Sequence, residues 1–214
     1  MKRLLPFLIV AVVAVITFAG GLALYRSKKT AAPSASAGTA TGIHVRGKET
    51  AAVTIEEFGD FQCPPCGTIA GVLHNLEQEF GSRLRLIFHH FPLAVHAHAR
   101  AAAVAAEAAH QQGKFWEMHD VLYKEQAIWS KAPDVPVLFN GYAGSIGLDV
   151  ERFKKDSEHP EVIARVDADQ KLGASRGVTS TPTLFVNNAV LPPTEINPAG
   201  LRKAIETALR EKPK

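Results

Sequence analysis

The sequence is short of cysteine, of repeats and of acidic charge near its start. Of its 214 residues only Cys63 and Cys66 carry thiols. Two cysteines cannot make a disulfide-dense scaffold, nor a four-thiolate zinc site within one chain. No internal repeat of useful length is visible. With 16 Gly, 13 Pro and a hydrophobic share of 46%, collagen, mucin-like stalks and wholesale disorder are excluded. No Asp or Glu precedes Glu49.

That last gap explains the formal charge of +3. Lys2, Arg3, Arg26, Lys28 and Lys29 cluster near the start, whereas residues 30–214 hold 19 basic and 21 acidic groups. The bulk of the chain is mildly acidic and has no basic stripe, so a nucleic-acid role lacks electrostatic support.

Between the basic clusters, Leu4 to Tyr25 runs 22 residues without a charge. About 20 apolar residues cross a bilayer core as a helix. A cleavable signal has a shorter apolar stretch followed by a small-residue site. The reading is a signal anchor over residues 1–29 with its span at 4–25, and the alternative is a cleaved signal with Ala35-Ser36-Ala37 as the site. Either places the rest beyond the cytoplasmic membrane: on a single-pass anchor with the catalytic domain on the periplasmic or extracytoplasmic side, or soluble in the periplasm. Residues 30–41 (TAAPSASAGTAT) have little to bury and are expected to be a flexible tether. The folded domain is expected over 42–214.

Within it, Ile43 to Arg46 suits a short edge strand, and Ala51 to Phe58 and Leu84 to Phe91 suit longer ones. Between them Ile69, Val72, Leu73, Leu76 and Phe80 recur at helical spacing, and Gly81 ends the run. Strand–helix–strand favours a parallel pair. Nine of the thirteen residues from Ala97 to Ala109 are alanine, which predicts a closely packed helix over 96–112. Phe115 to Tyr123, Ala132 to Ile146, Asp149 to Ser157 and Pro160 to Ser175 are further helices, the last with Val162, Ile163, Val166 and Leu172 as its apolar face. Phe115 and Trp116 are assigned to the core of this helical block. Thr183 to Val186 and Ala189 to Leu191 form strands around an Asn187-Asn188 turn, and Asn197-Pro198 opens a final helix carrying Leu201, Ile205 and Leu209.

One segment carries strong chemistry. Cys63-Pro64-Pro65-Cys66 lies where a strand ends and a helix begins, the context in which a CxxC pair is a redox motif. A helix N-terminus lowers a thiol's pKa, and the thiolate is the nucleophile of disulfide exchange. Proline is tolerated in the first helical turn. Pro65 removes one N–H that could support Cys63, and no histidine stands between the cysteines. Cys63 is therefore expected to have a depressed pKa that stays above about 4, the low end of known cases. A structural disulfide over so short a loop stabilises little, and zinc would need two more ligands. His89 and His90 point to opposite strand faces, and His96 and His98 cannot share a helix face, so neither pair chelates locally.

Glu57 to Cys66 (EFGDFQCPPC) resembles the active-site segment of DsbA-like thiol–disulfide oxidoreductases of the thioredoxin superfamily. His90-Phe91-Pro92-Leu93 and Gln112 to His119 (QGKFWEMH) resemble the helical insertion of its bacterial members. Val178 to Val186 (VTSTPTLFV) resembles the cis-proline segment. The resemblance implies an α/β thioredoxin fold with a helical insertion at about 96–176. It implies a cis Pro182 beside Cys63, with the Thr181 backbone free to pair with an extended substrate. Phe61, Pro64, Pro65 and Thr181 would form the substrate surface. An acid beneath the site falls at Glu57, with Glu56 on the opposite face as the competing candidate. A buried carboxylate there would exchange a proton with Cys66.

The implied enzyme needs no cofactor and no metal. It donates disulfides to envelope or secreted proteins through Cys63 and Cys66, and a membrane quinone reductase of the DsbB type reoxidises it. The alternatives are a reductase or isomerase on the same fold, or a metal chaperone using the two cysteines and a histidine.

Overall fold

The computed structural model describes residues 44–211. The anchor, the tether, Ile43 and the boundary at residue 42 lie outside the described residues. No helix among the described residues is long and apolar enough to cross a membrane.

The sheet has five strands: β1 (His44–Arg46), β2 (Val53–Gly59), β3 (Leu84–His90), β4 (Thr183–Val186) and β5 (Ala189–Val190). Their order is β1-β3-β2-β4-β5. β2 and β3 pair in parallel, with Val53 opposite Leu84 and Gly59 opposite His90. The other three pairings are antiparallel. The parallel pair requires a crossover, and helix α1 (Pro64–Phe80) supplies it. Gly81 takes φ +53° just past that helix, where a side chain would be strained. Asn187 and Asn188 also adopt positive φ, 47° and 70°, the geometry a two-residue hairpin requires.

The insertion between β3 and β4 holds α2 (Ala99–His110), α3 (Phe115–Lys124), α4 (Gln126–Trp129), α5 (Val135–Ser145), α6 (Val150–Ser157) and α7 (Pro160–Ser175). Helix α8 (Pro198–Glu211) closes the chain. The short α4 had no sequence signal of its own.

The core is divided around the sheet. Val53, Ile55, Leu73, Leu76, Leu184, Leu201 and Ile205 form the cluster that holds α1 and α8 on it. A second cluster joins both cysteines and Phe61 to the insertion through Phe88, Met118, Leu122, Trp129 and Phe139. The alanines of α2 are the buried floor of that cluster. Full burial of each large apolar side chain is worth roughly 1.5–3 kcal/mol, so this cluster fixes the cysteines against the insertion.

One helix face differs from its expectation. The buried residues of α7 are Val162, Val166, Asp169 and Gly173, and Leu172 is 40% exposed. Gly173 takes the inward position because Phe91 and Phe58 press against it: a Cβ there would lie 2.7 Å from Phe91 and 2.9 Å from Phe58. Asp169 is buried because it accepts from the His90 backbone N–H at 3.0 Å and pairs with His89 at 3.1 Å.

Candidate active site

Gly59 ends β2, and four residues later Cys63 caps α1 with extended backbone (φ −74°, ψ 118°). Asp60 shapes this turn. Its carbonyl accepts from the Cys63 N–H at 3.1 Å. Its carboxylate, 1% exposed, accepts from the Gln62 N–H at 2.7 Å and the Leu93 N–H at 2.9 Å, and pairs with His96 Nδ1 at 2.7 Å.

The insertion holds the same turn from the other side. Gln126 Nε2, at the start of α4, donates to the carbonyls of Phe61 (2.6 Å) and Cys63 (2.9 Å). Gln62 donates to the Ser130 carbonyl at 3.1 Å and accepts from the His98 N–H at 2.6 Å. The motif's neighbours are thus fixed by residues up to 68 positions away.

The Thr181–Pro182 peptide bond is cis. The Cys63 thiol donates to the Thr181 carbonyl at 3.4 Å, so two segments 118 residues apart meet at the reactive sulfur. Pro64 and Pro65 are exposed. Together with Thr181, Pro182, Val190 and Ile196 they line an open groove of about 750 Å³. Phe61, expected at the substrate surface, is not there. Its ring is 1% exposed and stacks on Phe88 at 5.2 Å between centroids. A phenylalanine beside a reactive turn packs inward here because the insertion presents an aromatic pocket to it.

Both cysteines are free thiols, and they are electrostatically unequal. The Cys66 thiol's hydrogen bond is the largest influence on Cys63, and it lowers the pKa to about 6. Burial opposes this; the Thr181 side chain and the Cys66 backbone N–H reinforce it, and the Asp60 charge works against it. The Thr181 hydroxyl is buried with no hydrogen-bonding partner among the described residues, which leaves it available to the thiolate. Cys66 is 0% exposed, and burial pushes its thiol far above the ordinary range, helped by Cys63 and Glu57. At neutral pH one sulfur ionises readily and the other keeps its proton. That is the division needed between a sulfur that exchanges with a partner and one that closes the ring.

Glu57 and Glu56 separate as strand alternation requires. Glu56 faces the sheet's other side, paired with His89 (2.8 Å) and Arg176 (2.6 Å). Glu57 is 4% exposed. Its register neighbours are Phe88 and Leu184, and its Oε1 has no hydrogen-bonding partner among the described residues. Burial, with the Cys63 charge adding to it, raises its pKa to about 8. The Cys63 charge raises Glu57, and the Glu57 charge in turn raises Cys66, so the buried acid is electrostatically linked to both sulfurs.

Among the described residues one set of three metal-type ligands converges: His44, His90 and Glu107, all buried, with donor atoms within 4.8 Å of one another. They come from β1, β3 and α2, so no local spacing could reveal them. Glu107 Oε1 already serves both imidazoles, at 2.6 Å from His44 and 3.0 Å from His90, and His44 stacks on Phe115 at 3.4 Å. Asp60 and Gln126 were also missed by sequence reasoning. A turn acid and an amide on a short helix carry no signal until their partners are known.

A protein-family model described as thioredoxin matches residues 39–207. Among curated proteins, a Na(+)/H(+) antiporter NhaA 1 of Salinispora arenicola is 40% identical over 145 residues, covering 67% of this chain and 21% of that protein. The Na(+)/H(+) antiporter NhaA of Herminiimonas arsenicoxydans is 39% identical over 143 residues, covering 67% and 22%. The chain therefore spans about a fifth of the length of these relatives.

Among solved structures, oxidised BdbD from Bacillus subtilis superposes with a TM-score of 0.69 at 25% identity, covering 78% of this chain and 92% of the other. A thioredoxin-like oxidoreductase from Silicibacter pomeroyi gives 0.67 at 27% identity, covering 79% and 94%. Alpha-DsbA1 of Wolbachia pipientis shares the fold, with a TM-score of 0.67 at 16% identity over 80% and 92%.

Proposed function

Because the chain belongs to the thioredoxin family, we propose that it is a protein thiol–disulfide oxidoreductase that donates disulfides outside the cytoplasm. The observation that carries the reading is the Cys63 sulfur, at a helix N-terminus and 3.4 Å from the carbonyl before a cis proline. In the donor direction, a substrate thiolate attacks the Cys63 sulfur of the Cys63–Cys66 disulfide. The S–S bond breaks, and the Cys66 sulfur leaves and takes a proton. A second substrate thiolate then attacks the mixed disulfide, and Cys63 leaves as a thiolate.

Glu57 is the proton donor to Cys66 in the first step, and its base when the ring closes again. The substrate strand lies in the groove along Thr181, whose backbone offers it hydrogen bonds, with Pro64 and Pro65 as the wall. Substrates are proteins with free thiols, and a membrane redox partner takes up the electrons. The domain over 42–214 is held to the membrane by residues 1–29 through the tether at 30–41. The antiporter names belong to proteins about five times as long as the matched stretch, and a redox domain joined to a membrane protein fits that proportion.

The test is trapping. With Cys66→Ala, Cys63 mixed disulfides with envelope proteins accumulate and dissolve on reduction. A Cys66→Ala chain that captures no protein thiol excludes the reading, and stoichiometric zinc on the reduced wild type would favour metal carriage instead.

A further inference from the structure

A small cavity lies beside Glu57, between the sheet, α1 and α3, and it shares no lining residue with the substrate groove. It measures about 20 Å³, and roughly 10–15 Å³ holds one water. Glu57 lines it from β2, His119 and Asp120 from α3, His74 and Glu77 from α1, and Arg46 from β1. Glu57 Oε1, buried and without a partner among the described residues, is the kind of oxygen a bridging water satisfies. His119 is 6% exposed and commits Nδ1 to Asp120 Oδ1 at 2.8 Å. The Asp120 side chain is 52% exposed. An imidazole can take a proton on one nitrogen and release one from the other.

We propose that the proton exchanged between Glu57 and Cys66 travels to and from solvent through this cavity, by one water, the His119 ring and the Asp120 carboxylate. This rests on the Glu57 role proposed above. When the ring closes, the Cys66 proton moves to Glu57, and the Cys66 sulfur displaces the partner sulfur from Cys63. Glu57 then passes its proton through the water to His119, and His119 Nδ1 delivers one to Asp120 and solvent. Because the cavity shares no lining residue with the groove along Pro64, Pro65 and Thr181, a substrate filling the groove leaves it clear.

The other charged and titratable groups facing His119 and the cavity are few. Arg46 bridges Asp120 at 2.8 Å and Glu77 at 3.2 Å and lies over the Trp116 ring at 4.3 Å. His74 completes the α1 side. Tyr123 meets the His119 ring at 5.0 Å, and His90 acts on it through its charge.

Ellman's disulfide reads the two sulfur steps separately. Reduced full-length protein releases one thionitrobenzoate when Cys63 attacks and a second when Cys66 resolves the adduct. His119→Phe and Asp120→Asn are expected to leave the first release unchanged. They slow the second about tenfold, a part of the ~10²–10⁴ that acid–base catalysis supplies, and enlarge its slowing in heavy water. Glu57→Gln slows the same step, and adding His119→Phe to it costs nothing more. A wild-type second release in either single variant, with Glu57→Gln slow, overturns the route. A wild-type second release in Glu57→Gln overturns the Glu57 role itself. If His119→Phe does not fold, the half-exposed Asp120→Asn decides.

Discussion

Cys63 and Glu57 are two acids whose surroundings push them in opposite directions. The Cys66 hydrogen bond lowers Cys63 to about 6, so thiolate absorbance should titrate near pH 6, with Cys66→Ala raising the midpoint. A midpoint at the ordinary 8.5 of a free cysteine would remove that hydrogen bond as the cause. Burial raises Glu57 to about 8. A carboxyl whose folded pKa lies above its unfolded value destabilises the fold as pH rises. The stability is intact below about 4.5 and is lost progressively up to about 8. Glu57→Gln should therefore raise the melting temperature at pH 8 by several degrees and hardly alter it at pH 4, on the order of 1.4 kcal/mol for each pH unit crossed. Equal shifts at both pH values would mean that Glu57 is not buried as an uncompensated acid.

Elements differ in how far the sequence revealed them. Helix α1 was legible because its start carries prolines and its apolar residues recur at three and four. The hairpin was legible because two asparagines accept positive φ. Helix α7 was legible in extent but not in orientation. Periodicity weighs apolar residues, so it chose Leu172, whereas packing placed Asp169 and Gly173 inside. Gly173→Ala should cost about 1–3 kcal/mol, because Phe91 and Phe58 must move for the new methyl. An unchanged urea midpoint would show that the helix can shift away.

The grip of α4 on the active-site turn was invisible, since Gln126 is only a surface-type amide in the sequence until Phe61 and Cys63 present their carbonyls. Gln126→Ala loses both bonds, each worth about 0.5–1.5 kcal/mol, and should lower stability accordingly. Loss of less than about 0.5 kcal/mol would mean that water replaces the amide at both carbonyls.

At the scale of the whole molecule, the reactive site is assembled from three distant stretches: the CxxC turn, the cis-proline segment and the insertion. The first two were legible as contiguous motifs. The third was legible only as a helical block, because its contribution is a set of contacts between loops and not a pattern along one helix. The charge excess belongs to the first 29 residues, and the described domain holds both thiols. If residues 1–29 are the anchor, removal of residues 1–30 moves the protein from the membrane to the soluble fraction while the thiol kinetics stay the same. Unprocessed full-length chain in the soluble fraction would refute the anchor.

The most direct test of the central claim is the reduction potential, measured by equilibrating the full chain with glutathione buffers. A lower pKa of the attacking cysteine stabilises the reduced form and makes the disulfide a stronger oxidant. A Cys63 pKa near 6 lies between the values of about 7 for thioredoxin and about 3.5 for DsbA. A two-electron potential between their respective values of about −270 and −120 mV is therefore the result this account predicts. A potential at or below about −270 mV would contradict disulfide donation and make the protein a reductase.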